Sequence, residues 1–289
     1  MNAIFGCTFK ESLRKRAFLI MSIISALYIV LWAVMLQKFT TSFHPDVAGD
    51  LAVQVNAATS TLVFQVGLQF SSMLLCFVTI NLASGIIASE METGLVLGII
   101  SRPVKRSSYV FGRLLGITAL VLIFGTVMYT LILAIGASFS LSPVIAMNSV
   151  QILSGWLFYI LVPIVVLCPT TFGSVHIKAV ANGLLMVFVY MLGNIGGMVE
   201  MIGKFLNNSS AVNAGILMSL FSPFHELYLT AERILVPTTG IAGEMMRGLG
   251  GLSGGGNPPS VWMYVFIAVY AALFLLFAVR KFKKIDINI

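Results

Sequence analysis

Charged side chains are scarce in this chain of 289 residues, of which Asp, Glu, Lys and Arg make up only 9%. A soluble domain carries about 25% charged residues, so this shortage excludes an ordinary soluble protein. Hydrophobic residues account for 58% of the chain, and its mean hydropathy is +1.01. The composition therefore predicts an integral membrane protein.

Cysteine and histidine are also rare, and their placement excludes several kinds of site. The chain has three cysteines, Cys7, Cys76 and Cys168, and three histidines, His44, His176 and His225. No cysteine pair is placed to form an external disulfide, and the histidines are too far apart in sequence to favour a shared metal or catalytic centre. The Gly-x-x-x-x-Gly-Lys-Ser/Thr loop that holds ATP is absent from the sequence. We therefore expect no enzyme activity, cofactor or metal site on this chain.

Six apolar segments are long enough to cross a hydrocarbon core, which takes about 20 helical residues. They are 17–36, 61–88, 114–137, 147–170, 180–199 and 261–279, and none contains Asp, Glu, Lys, Arg or His. The second is longer than a bilayer needs and is predicted to continue as a helix toward Glu90. Pro163 and Pro169 are predicted to kink or end the fourth. The sequence thus predicts an all-α protein with six transmembrane helices.

The distribution of Lys and Arg indicates the orientation of these spans. If the N-terminus is cytoplasmic, thirteen of the 17 basic residues lie on the cytoplasmic side and four on the other. Cytoplasmic loops carry an excess of Lys and Arg, so we expect both termini inside and need no nucleic-acid partner to explain the basic excess. The cytoplasmic set is Lys10, Arg14, Lys15, Arg16, Arg102, Lys105, Arg106, Arg113, Lys178, Arg280, Lys281, Lys283 and Lys284, and the outer set is Lys38, Lys204, Arg233 and Arg247.

Residues 3–16 have the pattern of a short helix that lies in the membrane interface. Phe5, Phe9 and Leu13 recur every four residues and share one helical face. Basic residues cover most of the remainder, which suits contact with anionic headgroups. An ordinary charged flank before the first span is the alternative.

The outer segment 200–260 is long and is predicted to be partly structured. Ser222 and Pro223 are typical of a helix start, with proline at the first helical position, and Pro237 should end that helix. Residues 247–259 are rich in glycine and read as a flexible linker. This segment is also a possible binding region for an extracytoplasmic partner.

The loop between the second and third spans holds an unusual density of charge. Glu90, Glu92, Arg102, Lys105, Arg106 and Arg113 all fall in it. The spans themselves hold no ionisable residue, whereas ion-coupled carriers usually keep such groups inside the bundle. If the protein transports, its energy is therefore expected to enter from a partner through this loop.

Three motifs in the loop carry a resemblance to a known family. They are Glu90-Met91-Glu92-Thr93-Gly94, Ile100-Ser101-Arg102-Pro103-Val104-Lys105-Arg106 and Phe111-Gly112-Arg113-Leu114-Leu115-Gly116. Together they resemble the first cytoplasmic loop of the ABC-2 type transporter permeases. The resemblance extends to the six spans, the interfacial helix and the large outer loop before the last span. It implies the ABC-2 type exporter fold, with residues 1–289 as a single transmembrane domain.

The resemblance also implies partners. The permease would act as a dimer of two copies of this chain and bind cytoplasmic ATPase subunits, which hold ATP and Mg. Residues 89–113 would form the coupling loop, with a short helix around 91–101 that docks on the ATPase. The implied coupling residues are Glu90, Glu92, Gly94, Leu95, Arg102, Pro103 and Arg106. Simple solvation of the loop is the alternative for the glutamates, and anchoring of the topology is the alternative for the arginines.

A row of polar side chains along the second span marks a candidate path for cargo. The row consists of Gln65, Gln69, Ser72, Cys76 and Thr79, which share one helical face. The resemblance implies that the second and fifth spans line the centre of the dimer, which adds Asn194 to the candidates. Hydrogen bonding between helices without substrate contact is the alternative. Gly193 and Gly197 next to Asn194 are expected to permit close helix approach.

These inferences predict the transmembrane permease subunit of an ATP-driven ABC-2 type exporter in the plasma (inner) membrane. The chain would be coupled to separate ATPase subunits through residues 89–106. The alternative is a non-transporting ABC-type scaffold that passes ATP-driven movement to an extracytoplasmic partner through residues 200–260.

Overall fold

Helices are the only regular elements in the residues that the structure, a computed structural model, describes: 2–42, 50–94, 106–236 and 260–283. The helices are α1 (Asn2–Arg14), α2 (Arg16–Ser42), α3 (Asp50–Ser84), α4 (Ala88–Glu92), α5 (Arg106–Ser138), α6 (Ser142–Ile145), α7 (Ser149–His176), α8 (Ala179–Phe205), α9 (Ser209–Phe221), α10 (Phe224–Leu235) and α11 (Val261–Lys283).

Six of these helices, α2, α3, α5, α7, α8 and α11, are long and apolar enough to cross a membrane. The predicted all-α architecture with six spans is therefore confirmed. The helices extend beyond the apolar segments of the sequence, since α2 reaches Ser42 and α3 begins at Asp50. Polar residues next to a span continue the helix because each further residue adds one backbone hydrogen bond.

Helix α7 forms the centre of the bundle and contacts α3, α5, α8, α10 and α11. Its side chains Tyr159, Val162 and Val166 have no exposed surface. The helix passes through Pro163 and Pro169 and ends at His176, six residues beyond the apolar segment of the sequence, so neither proline ends it. Packing from neighbouring helices holds this buried segment helical despite the hydrogen bond that each proline removes.

The sequence predicted that the second span continues as one helix toward Glu90, but the structure shows a break in it. Helix α3 ends at Ser84, a turn follows, and α4 begins at Ala88. The backbone N–H groups of Ile87 and Ala88 donate to Ser174 Oγ of α7, at 2.9 and 3.0 Å. The helix breaks here because the Ser174 hydroxyl of α7 accepts these two hydrogen bonds in place of the backbone carbonyls that would accept them in a continuous helix.

Helix α1 packs beside the first half of α5. Its buried face consists of the small side chains Thr8 and Ser12, and Thr8 lies close to Gly116, where an added methyl would come within 2.8 Å of the Thr8 Cβ. Phe5 and Leu13, on the face predicted to be apolar, stay exposed. Phe9, which lies between them on that face, is half-buried and packs against the core, so the protein covers the small polar face of α1 and part of its apolar face.

Helices α8 and α9 form a close antiparallel hairpin that the sequence analysis did not foresee. Asn207 has a φ of 52°, and the Asn208 side chain accepts from the backbone N–H groups of Ser210 and Ala211. Such an Asn-Asn-Ser-Ser run is a turn followed by an N-cap, which is a readable signal for a helix start. Within residues 200–260 the sequence predicted a helix only from Ser222 onward, so the earlier helix α9 was missed.

The two helices that follow α8 in the chain, α9 and α10, pack closely against it at glycine positions. A methyl at Gly215 would lie 2.6 Å from the Glu200 nitrogen, and one at Gly203 would lie 2.7 Å from the Val212 nitrogen. The predicted close approach at Gly193 and Gly197 is confirmed. An added methyl at Gly193 would lie 2.6 Å from the Ser222 oxygens, just after α9, and one at Gly197 would lie 2.5 Å from His225 Nε2 of α10. Helix α10 begins at Phe224, one residue later than predicted, with Pro223 as its N-cap.

Replacing Gly215 by Ala is expected to destabilise the chain by about 1–3 kcal/mol, the usual cost of overpacking, because backbone atoms of α8 surround the position. The matched control is Gly6→Ala in α1, where a methyl meets nothing within 4 Å. There the higher helix propensity of alanine favours the fold by up to about 1 kcal/mol. Thermal unfolding of the purified variants in detergent measures both effects, and equal melting temperatures would contradict the close packing of α8 and α9.

Candidate coupling site

The turn and short helix after α3, residues 85–94, are bonded to the bundle at several points, and we refer to them as the 85–94 segment. Ser174 of α7, only 1% exposed, accepts both of the hydrogen bonds that break the helix at Ile87 and Ala88. A buried hydroxyl that satisfies two backbone donors is a specific contact, because losing it would leave both donors unpaired. The first half of the segment is thereby attached to α7.

The start of α8 holds the segment from a second direction. Glu92 Oε1 accepts from the backbone N–H of Ala179 at 2.9 Å, which satisfies one of the free donors in the first turn of α8. Asn182, completely buried, donates through Nδ2 to the Ser84 carbonyl at 3.1 Å and the Thr170 carbonyl at 2.9 Å. The ends of α3 and α7 and the beginning of α8 therefore meet at one point under the segment.

A cluster of three ionisable side chains and one tyrosine attaches the segment to α1 and α5. Glu90 forms an ion pair with Arg113 Nη2 and accepts a hydrogen bond from the Tyr109 hydroxyl. Arg113 Nη1 lies 2.6 Å from Glu11 Oε2 of α1, and Arg113 Nε donates to the Tyr109 oxygen at 3.1 Å. Glu90 is 6% exposed and Arg113 is 8% exposed. These four residues are called the charge cluster below.

The charge cluster links elements that are distant in sequence. Glu11 belongs to α1, Glu90 to α4, and Tyr109 and Arg113 to α5. The Tyr109 ring also stacks on Phe282 of α11, with the ring centres 5.9 Å apart. A buried charge without a partner is strongly unfavourable, so these elements are held in one arrangement as long as both charges stay buried.

The structure separates the two glutamates that the sequence predicted to dock on a partner. Glu90 points into the protein, whereas Glu92 is exposed and its carboxylate caps α8. Met91 is 40% exposed, and Gly94 has a φ of 73°, a left-handed conformation that favours glycine. Met91, Glu92, Thr93 and Gly94 thus form the exposed surface of the segment.

The structure gives less information about the other predicted coupling residues. Leu95, Arg102 and Pro103 lie outside the described residues, and Arg106 is the first residue of α5. Glu11, Ser174 and Asn182 are absent from the residues predicted for this site. Arg113 was predicted only as one of the charges of the loop and as part of its third motif, and not as a coupling residue. Glu11 could have been found from the sequence, because it is an acidic residue among the basic residues of α1. No pattern in the neighbouring sequence distinguishes Ser174 or Asn182.

The polar row on α3 lies inside the chain. Gln65, Gln69, Ser72, Cys76 and Thr79 are all buried. Gln69 Nε2 donates to Asn194 Oδ1 of α8 at 3.1 Å, and the Tyr228 hydroxyl of α10 donates to the Gln65 carbonyl at 3.5 Å. Hydrogen bonding between helices, one of the two interpretations of this row, thus occurs at Gln69, while contact with cargo stays a prediction.

The seam where α3, α8 and α10 meet also contains buried polar atoms without a hydrogen-bond partner in the described part of the chain. They belong to Gln65, Gln69, Ser72, Ser219, Ser222 and His225. His225 is 2% exposed and faces Gly197 of α8. Burial, assisted by the positive charge of Arg233, lowers the pKa of His225 to about 4. The imidazole is therefore neutral at physiological pH.

A sequence model of the family described as ABC-2 family transporter protein matches residues 2–287, which is nearly the whole chain. No curated protein matches it.

Replacing Arg113 by Met is expected to destabilise the protein by about 3–5 kcal/mol, since it leaves the Glu90 carboxylate buried without its partner. The variant Glu90→Gln/Arg113→Met should lose less than the sum of its single changes. Lys15→Met is the matched control, because Lys15 pairs with the same Glu11 at 3.5 Å but on the surface, where such pairs contribute about 0–1 kcal/mol. Thermal unfolding in detergent measures all four variants. An effect of Arg113→Met no larger than that of Lys15→Met would show that the cluster is not a buried pair.

Acid is expected to destabilise the seam through His225. The folded pKa of about 4 lies below the ordinary value of 6.5, so the stabilisation is complete above pH 6.5 and is lost as the pH falls toward 4. His225→Gln should therefore reduce the drop in melting temperature between neutral and acidic buffer. His176→Gln is the control, since His176 is exposed at the other end of the bundle. Equal pH dependence in both variants would mean that His225 does not titrate in this way.

Proposed function

The chain belongs to the ABC-2 family of transporter proteins, and from this membership we propose that it forms the permease of an ATP-driven exporter. Members of the family are multi-pass membrane subunits of ABC transporters and associate with ABC ATPase partners. The partner ATPase would supply ATP and Mg, while this chain supplies the spans. Movement of the partner would enter those spans through the 85–94 segment, and cargo would travel out of the cell.

The bonding of the 85–94 segment is the observation that supports coupling at this point. A partner that pushes on the segment also pushes on α7 through Ser174, on α8 through Glu92, and on α1 and α5 through the charge cluster. Each contact is a direct hydrogen bond or ion pair and not a flexible linker. A displacement at the surface of Met91 and Glu92 is therefore transmitted to several spans together.

The orientation proposed for this arrangement follows from the positions of the basic residues. The end of the bundle that carries the charge cluster also carries Arg14, Lys178 and Arg280, because α1, the start of α8 and the end of α11 meet there. An excess of Lys and Arg marks the cytoplasmic side. This end, with both termini, would face the cytoplasm, and the α8–α9 hairpin would face outward from the plasma (inner) membrane.

Cargo would pass along the polar row of α3 after the row separates from α8. The hydrogen bond between Gln69 and Asn194 opposes this separation only weakly, because such bonds between helices in membranes contribute about 0.6 kcal/mol each. Movement imposed at the 85–94 segment can therefore open the seam without a large penalty. A second copy of the chain would complete the path on its other side.

Introducing a charge on the exposed surface of the segment is expected to weaken the bond with the ATPase. Met91→Asp should reduce co-purification of the ATPase about tenfold or more, since a loss of 1.4 kcal/mol in binding is already tenfold. Ile145→Asp is the matched control, because Ile145 is 64% exposed in the short helix at the opposite end. Glu90→Ala/Glu92→Ala should abolish stimulated ATP hydrolysis by loosening the segment itself.

The transport step is measured as ATP-dependent flux of candidate cargo in vesicles that contain the permease and its ATPase. If Met91→Asp leaves the ATPase bound and active, the proposed coupling surface is wrong. If ATP hydrolysis responds to the segment but no cargo moves, the exporter is excluded and the chain instead transmits movement to a partner outside.

A further inference from the structure

Helices α3 and α8 are joined by side-chain hydrogen bonds at two levels. Near the start of α8, Asn182 Nδ2 donates to the Ser84 carbonyl at the end of α3, at 3.1 Å. Further along α8, Asn194 Oδ1 accepts from Gln69 Nε2, also at 3.1 Å. The two asparagines are about 18 Å apart along the helix, at a rise of 1.5 Å per residue. The bonds are equal in length, but their surroundings differ.

The bond at Asn182 follows from the break after α3. In a continuous helix the Ser84 carbonyl would accept from the N–H of Ala88, but that N–H donates to Ser174 Oγ. Asn182 supplies the missing donor, and it also donates to the Thr170 carbonyl of α7 at 2.9 Å. Its side chain is completely buried. Separating the helices at this level would leave buried polar groups unpaired, which is strongly unfavourable.

Small residues surround Asn182 and let the helices touch there. A methyl at Gly183 would lie 3.5 Å from the Ser84 Cβ, and one at Gly85 would lie 3.6 Å from the Ala179 Cβ. A contact between small residues offers little surface that resists a change of angle. Helix α8 can therefore tilt about this point while the bonds of Asn182 persist.

The contacts around Asn194 are individually weaker. Gln69 Oε1 has no hydrogen-bond partner in the described part of the chain. Between the two levels, Tyr190 of α8 meets the thiol of Cys76, a weak hydrogen-bonding group, and the edge of the Phe77 ring. This part of α8 is therefore the part that separates from α3 when the seam opens.

The contact of Glu92 with the start of α8 makes this helix a lever. Glu92 accepts from the N–H of Ala179, which is about 4.5 Å from Asn182 along the helix axis. Asn194 lies about 18 Å from Asn182 on the other side, so a sideways displacement at Ala179 becomes about four times larger at Asn194. Helix α8 is continuous between these residues and carries the tilt to its far end.

We propose that Asn182 is the pivot about which α8 tilts, so that the seam opens at its outer end while α3, α7 and α8 stay joined beside the 85–94 segment. Asn182 is thus a positioning residue. This pivot rests on the proposed entry of movement through that segment. A tilt of about 10° would move Phe205, about 35 Å from Asn182 along the helix, by about 6 Å.

The opening is measured as a distance between the outer ends of α3 and α8. Asn56 and Phe205 are exposed there, and both are replaced by cysteine and labelled with a maleimide nitroxide. Cys7 is replaced by serine, while Cys76 and Cys168 are buried. The labelled chain is diluted with unlabelled chain and bound to the ATPase in nanodiscs. Addition of ATP should widen the distance by at least about 5 Å in double electron–electron resonance.

A disulfide beside the pivot provides the decisive comparison. Ser84→Cys/Gly183→Cys brings two Cβ atoms to 3.5 Å, a separation that a disulfide can bridge. Oxidation of this pair after labelling should leave the widening at the outer end intact. Gly85→Cys/Ala179→Cys, at 3.6 Å, should behave in the same way. Loss of the widening in both oxidised variants, but not in their reduced forms, would mean that the helices separate at this level and would overturn the pivot.

The same substitution at the two asparagines should have opposite effects. Asn182→Leu should lose the widening while the ATPase stays bound and hydrolyses ATP, a combination that general destabilisation would not produce. Asn194→Leu, the matched variant on the same helix, should raise the fraction with the wide distance about twofold before ATP is added.

ATP-dependent widening that persists in Asn182→Leu would overturn the pivot, as would equal distances in the two variants. If ATP changes no distance in the labelled chain with both asparagines intact, the proposed coupling through the 85–94 segment is itself wrong, and the pivot falls with it. None of these measurements requires the cargo, so they are independent of whether the chain exports.

Discussion

The burial of Glu90 against Arg113 is the interaction on which the arrangement of this end of the molecule depends. Two ionised groups at 6% and 8% exposure are tolerated only while they stay paired and hydrogen bonded. Glu11 and Tyr109 complete the bonding of Arg113. Because the partners come from α1, α4 and α5, keeping the charges satisfied also keeps those helices together. Removing one partner of such a pair is strongly destabilising, because it leaves an uncompensated buried charge.

The opposite end of the bundle is organised differently, by backbone contact through glycines. Helices α8 and α9 touch at Gly203 and Gly215 with no room for a side chain. Here shape decides the packing, and the polar groups that face this region, such as His225 and Ser222, are left without partners in the described residues. Buried polar atoms without a partner are not confined to this end, since Asn182 Oδ1 beside the 85–94 segment also has no hydrogen-bond partner in the described residues.

The sequence predicted part of the candidate site and missed its interior. The loop after the second span was located by its charges, and Glu92 and Gly94 are indeed on the surface of the segment. Glu90, two residues earlier, was given the same role, although it points inward. The difference arises from the turn that follows Ser84, which changes the direction of the chain before α4. That turn depends on a hydroxyl of α7, so no local pattern around Glu90 could have shown it.

The sequence by itself determined the number of spans, the all-α class and the concentration of charge at the span ends. A helix in a bilayer satisfies its own backbone hydrogen bonds, so length and hydropathy are read from consecutive residues. Only the tertiary structure decided which charges pair, where α3 breaks and how α9 returns along α8. Those features depend on contacts between residues far apart in the chain: 87 positions separate Ser174 from Ile87, and 102 separate Arg113 from Glu11. Whether such residues meet is decided by how the helices pack, and consecutive sequence carries no record of that.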